Sequence, residues 1–132
     1  MSADAPIVTG TDFVFLPTKD FAAAERFYGD VLGLQCSARY NRIPGGEFET
    51  GTLTLQVIEA AAIGREFRPN QGAIALHVDD VDAARAELES RGVTFRGDTF
   101  DTGVCHQAIF EDPDGNALIL HHRYAPRAPR VG

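Results

Sequence analysis

Tryptophan is missing from the 132 residues, methionine occurs once and cysteine twice. Cys36 and Cys105 lie far apart and match no spaced-ligand pattern, so they read as free thiols rather than a disulfide framework. No apolar run approaches the roughly 20 residues needed to span a bilayer. The opening MSADAPIVTGTD lacks the basic segment and apolar block of a secretory signal, which gives the expectation of a cytoplasmic protein. Positive charge is also scarce: 12 Lys and Arg stand against 19 Asp and Glu, a net −7. That balance disfavours nucleic acid, whose binding draws on neutralised phosphates, and it disfavours an anionic membrane surface. There is no glycine-rich phosphate loop and no nucleophile elbow. Nothing in the spacing of His and Cys supports covalent catalysis.

What is there suits one soluble domain spanning 1–132, with 44% hydrophobic and 23% charged residues. The chain repeats a pattern once. GTDFVFLPTKDFAAA at 10–24 matches NQGAIALHVDDVDAA at 70–84, an offset of 60 residues. Phe13 falls on Ala73, Phe15 on Ala75, Leu16 on Leu76 and Asp20 on Asp80. Each half opens with an alternating run that suits a strand. Asp20 and Asp80 then stand where a helix N-cap belongs. The first helix is expected through FAAAERFYGDVL to Gly33, and the second through VDAARAELESR to Gly92. Strand-like stretches follow in each half, giving β-α-β-β-β twice. The expected organisation is module one at about 11–60, a linker at 61–70, module two at 71–122 and a mobile tail at 123–132.

DPDGN at 112–116 has the chemistry of a tight hairpin turn: proline pre-sets φ, aspartate tolerates the next position and glycine supplies positive φ. With the repeat, FYGDVLGL on the first helix, HVDDVDAARAEL opening the second and FEDPDGN before the last strand, the chain resembles the vicinal oxygen chelate superfamily from about residue 11 to 122. That group includes glyoxalase I, bleomycin-resistance proteins, fosfomycin-resistance transferases and extradiol dioxygenases. The resemblance implies an α+β fold in which two tandem βαβββ modules form a curved mixed sheet around a cleft. It also implies a homodimer, since members usually complete their clefts with modules from two chains, the alternative being a single two-module chain that forms one cleft alone.

In metal-dependent members the ligands project from the first and last strands of each half. The first-strand histidine stands seven residues before the capping aspartate, a place held here by Phe13 and Ala73. The last-strand glutamate stands three residues after the turn asparagine, a place held here by Ile119. The fourth position falls at Thr54 or Gln56. Phe, Ala and Ile offer a divalent ion neither imidazole nor carboxylate. Their joint appearance is coherent, because a carboxylate left in an apolar cleft without its cation carries a large desolvation cost.

Alternation extends the predicted lining to Phe13, Phe15, Thr54, Gln56, Ala73, His77, Ile119 and His121, with Ala75 and Ala117 beside them. Val14, Leu16, Leu53, Leu55 and Val57 turn the other way, toward the core. The parity of VCHQAIF stays open. Such a wall suits a flat organic compound held by a few hydrogen bonds. Core packing is the alternative for Phe13 and Phe15, and a strand-end histidine satisfied by a neighbour is the alternative for His77. Tyr28, Arg39, Tyr40 and Arg42 are candidates for the cleft mouth, with a solvated strand edge as the other reading for the arginines. The expectation is a metal-free small-molecule binding protein, extending to antibiotic sequestration, with no cofactor and no catalytic residue. The alternative is a lyase, isomerase or dioxygenase with one divalent metal at a non-standard site drawn from His77, Cys105, His106, His121 and His122. A third reading is a metal-free acid–base enzyme with His77 or His121 as base.

Overall fold

A computed structural model describes residues 5–127. Its elements follow the doubled order. Module one holds β1 (Phe13–Thr18), α1 (Phe21–Glu25), β2 (Gln35–Arg39), β3 (Gly45–Glu49) and β4 (Thr54–Glu59). Module two holds β5 (Ile74–His77), α2 (Val81–Ser90), β6 (Phe95–Asp101), β7 (Cys105–Glu111) and β8 (Ala117–Arg123). The strands form two four-stranded mixed sheets, ordered β1-β4-β3-β2 and β5-β8-β7-β6. In each, the first strand runs parallel to the last and the other neighbours are antiparallel. The fold is α+β, with two βαβββ modules.

Both helices start as expected. Asp20 and Asp80 are extended residues whose carboxylates accept from the N–H groups of Ala23 and Ala83. The two helices end differently from one another. The first is α-helical only to Glu25 and continues as a π-helix over Arg26–Val31, with Leu32 N–H donating to the Phe27 carbonyl. This wider turn places Phe27 and Tyr28, both buried, side by side against the second module. Phe27 meets Phe110 with ring centroids 6.4 Å apart.

One apolar core serves both modules. Leu16, Tyr28, Phe48, Leu55 and Val57 from the first join Leu88, Phe110, Leu118 and Leu120 from the second. All lie on the helix-bearing side of their sheets. Tyr28 is fully buried there, so it does not border a cleft mouth. β8 continues to Arg123, and the N–H groups of Tyr124 and Ala125 donate to the Val104 carbonyl, so the expected tail is anchored at its root. Positions 128–132 of that tail lie outside the described residues. The expected linker contains a 3-10 turn at Ala60–Ile63.

The DPDGN turn joins the modules. The buried Asp112 carboxylate accepts four hydrogen bonds, from the Tyr28 hydroxyl at 2.6 Å, Asn116 Nδ2 at 2.8 Å, and the N–H groups of Asp114 and Asn116 at 2.9 Å. Asn116, with no exposed surface, donates to the Pro17 carbonyl of β1 and accepts from Asn70 N–H. Asp114 accepts from Thr18 and from the Lys19 backbone. Burial raises the Asp112 carboxyl above the ordinary range, against the pull of its donors, and burial together with Asp112 raises the Tyr28 phenol, which therefore remains a donor. Replacing Asp112 by Asn turns one acceptor into a donor facing donors. We expect Asp112→Asn to cost roughly 2–4 kcal/mol and Tyr28→Phe roughly 1–3 kcal/mol of stability in urea unfolding at pH 7.

Candidate functional site

The strand register decides which side chains share a face. Phe13 pairs with Thr54 and Phe15 with Gln56, while Glu49 pairs with Thr54 and Glu47 with Gln56. Cross-strand partners stand on one side of a sheet, so these six residues form the face turned away from the core. Phe13 is 52% exposed on that face, which removes core packing as its role. In the second sheet Ala75 pairs with Ile119 and His77 with His121, and Ile109 and Gln107 continue the same rows. The predicted lining residues are thus gathered as two sets, one on each open face. Ala73 lies one residue before β5 and is exposed.

Module one carries a polar array that joins the predicted Thr54, Gln56 and Tyr40 to Ser37, Glu47 and Glu49, which the sequence did not single out. Glu49 accepts from Ser37 at 2.5 Å and from Thr54 at 2.6 Å. Tyr40 donates to Glu47 at 2.5 Å and accepts from Gln56 Nε2 at 3.1 Å. Among the described residues, neither Glu47 nor Glu49 has a Lys, Arg or His at ion-pair distance. Phe48 between them is buried, and that alternation in EFET was the available signal. The hydroxyls of Ser37 and then Thr54 hold the Glu49 carboxyl below the ordinary range, and burial, then the Glu47 bond, raise the Tyr40 phenol. Of the mouth candidates, Tyr40 is therefore on the open face, while Arg39 is exposed and paired with Glu25.

Module two's face is less polar. Ile109 and Ile119 lie at its centre, Arg96 pairs with Glu111, and Phe100 is exposed beside Gln107. Cys105 shares the face of Gln107 and is buried under the 101–104 turn, its Sγ 3.0 Å from Thr102 Oγ1. His77, at the strand end, has Nε2 3.4 Å from Asp79 and its ring 5.9 Å from that of His122. His106 leans on Asp101 and Tyr124, and His122 Nδ1 meets the Val78 carbonyl.

These placements bear on a metal. The positions that would supply ligands hold Phe13, Ala73 and Ile119, and the register gives Gln56, opposite Phe15, as the counterpart of Ile119, opposite Ala75. At those four positions, one amide with Phe, Ala and Ile does not make a divalent-ion ligand set. Among the described residues, no three His, Cys, Asp or Glu side chains of the one chain are gathered to hold an ion. Within the one chain, the side chains at the superfamily's ligand positions do not fit a metal.

A family model for the glyoxalase/bleomycin resistance protein/dioxygenase superfamily matches residues 10–120. The chain belongs to this superfamily. It is 33% identical over 117 residues to the uncharacterised protein YaeR of Escherichia coli K12, covering 79% of this chain and 88% of that one. Among solved structures it is similar to TnmS3, an antibiotic binding protein from Streptomyces sp. CB03234, with TM-score 0.76, 24% identity and coverage of 90% and 99%. It is also similar to lactoylglutathione lyase from Agrobacterium tumefaciens, with TM-score 0.71, 22% identity and coverage of 88% and 95%. At these identities the two structures establish the fold alone. No helix among the described residues is long and apolar enough to cross a membrane.

The polar array makes a titration prediction. In the Ser37→Ala/Thr54→Ala double variant, Glu49 loses both donors, so its carboxyl should titrate at higher pH than in the native chain, back in the ordinary range. Carboxyl-detected NMR titration measures this directly, and an unchanged Glu49 pKa would contradict the array.

Proposed function

We propose that this protein binds an aromatic or planar organic compound on its open sheet faces without a metal, and that its role is sequestration of such a compound, an antibiotic being the leading class. The observation that carries this reading is Phe13, a half-exposed aromatic ring at the position where metal-dependent superfamily members place a ligand histidine. An exposed aromatic ring beside a row of Thr, Gln and Glu offers a stacking surface with hydrogen-bonding groups at one side. TnmS3, whose fold is shared, is an antibiotic binding protein, which supports the class of ligand.

The reading includes a homodimer. Each open face is half of a cleft, and a second chain laying its module-two face against Phe13 and Phe15 would enclose a ligand. The competing reading is a divalent-metal-dependent lyase, isomerase or dioxygenase. It is favoured by the fold shared with lactoylglutathione lyase and by the histidines of module two, which a second chain could bring to Glu47 or Glu49.

The test is a thermal-shift and calorimetric screen of aromatic natural products. A compound that binds the native protein should bind Phe13→Ala and Phe15→Ala about tenfold more weakly each, the loss of one aromatic contact. Undiminished affinity in both variants would remove the open face of module one from the site.

A further inference from the structure

The two halves differ where a segment precedes each first strand. Before β5, residues 65–70 lie along the outer edge of β1. Arg65 stands 5.8 Å over the Phe15 ring, Lys19 Nζ stands 5.0 Å over the Phe67 ring, and the Asn70 carbonyl accepts from Ala117 N–H. The segment thus packs beside β1, the edge strand of the first sheet, with Phe67 half-buried. Before β1, the equivalent segment covers nothing. Residues 5–12 are all exposed, Ile7 fully so and Val8 to 76%.

What the second half lacks is a matching cover. An apolar cavity of about 450 Å³ opens at β5, the edge strand of the second sheet, and is lined by Leu53, Ile74, Leu76, Val78, Ala84 and Leu88 among others. Its place in the repeat explains it. Leu88 is the counterpart of Tyr28, and Leu53, just before β4, is the counterpart of Asn116, just before β8. Where one junction is filled by the Tyr28–Asp112–Asn116 cluster, the other has two leucines and a void.

The same offset names an occupant. Ile7 is the counterpart of Phe67, and Gly10 that of Asn70. The arm is rooted at Phe13, paired with Thr54 and so next to Leu53 and the cavity wall. Six residues reach at most about 20 Å when extended. We propose that residues 5–12 close over the edge of β5 in the same chain, with Ile7 seated between Val78 and Leu88. The arm is then module one's version of the 65–70 segment, and the two modules cover each other's first strand.

The inference stands apart from the binding role and is tested without a ligand. On protein with labelled Ile, Leu and Val methyl groups, Ile7 should show NOEs to Leu53 and Leu88. These should persist when labelled chains are diluted in excess unlabelled protein. Ile7→Asp should abolish them and lower Tm by roughly 3–6 °C. Absent NOEs with an unchanged Tm would overturn the proposal. So would NOEs lost on dilution, which would assign the cavity to the arm of a second copy, or a co-purified apolar compound found there with the arm displaced.

Discussion

A buried carboxylate fixes how the two modules meet. Asp112 sits in the turn of the last hairpin, yet its hydroxyl donor, Tyr28, lies on the helix of the other module. A carboxylate taken out of water is costly unless every lone pair finds a donor, and here four donors converge on it. That requirement specifies one relative placement of hairpin and helix. Asn116 extends it to β1 through the Pro17 carbonyl, and Asp114 extends it to Thr18 and Lys19. The π-helical turn of the first helix is part of the same solution, because it delivers Tyr28 and Phe27 together.

The consequence is a division of faces. With both helices and the junction cluster on one side, the apolar residues of each strand turn inward and the alternate residues turn out. The outward set is unusual in composition. It carries Phe13, Phe15, Ile109 and Ile119 beside Gln56, Thr54, Glu47 and Glu49. A sheet face meant only for water would not need Phe13 half exposed at its edge. Carboxylates whose bonded donors are neutral hydroxyls remain available to a ligand's own donors. The positions where the superfamily's metal-dependent members place ligands hold Phe13, Ala73 and Ile119, so the carboxylates Glu47 and Glu49 stand on this face without those partners.

Much of this was legible in the sequence. Strand alternation and paired Asp caps located the elements, and the parity of β1, β4 and β8 was readable because one residue anchored each. The parity of β7 was not, since Cys105 and His106 are both polarisable residues at a strand start and give no apolar alternation. Glu47 and Glu49 escaped notice because their strand was recognised as a strand without assigning its faces. DPDGN was legible as a turn. That it locks the modules was not, because the partner Tyr28 is 84 residues away and its burial depends on the π-helical turn. The two βαβββ modules that the resemblance implied are present, each contributing one four-stranded mixed sheet.

The central claim is that the open faces work without a metal. Its most direct test is elemental mass spectrometry on protein purified without a histidine tag, with thermal unfolding in added zinc, nickel, manganese and iron. The account predicts metal far below one ion per chain and no stabilisation by any of the four. Near-stoichiometric metal, lost on His77→Ala or His121→Ala, would contradict it and make the superfamily's metal chemistry the function to pursue.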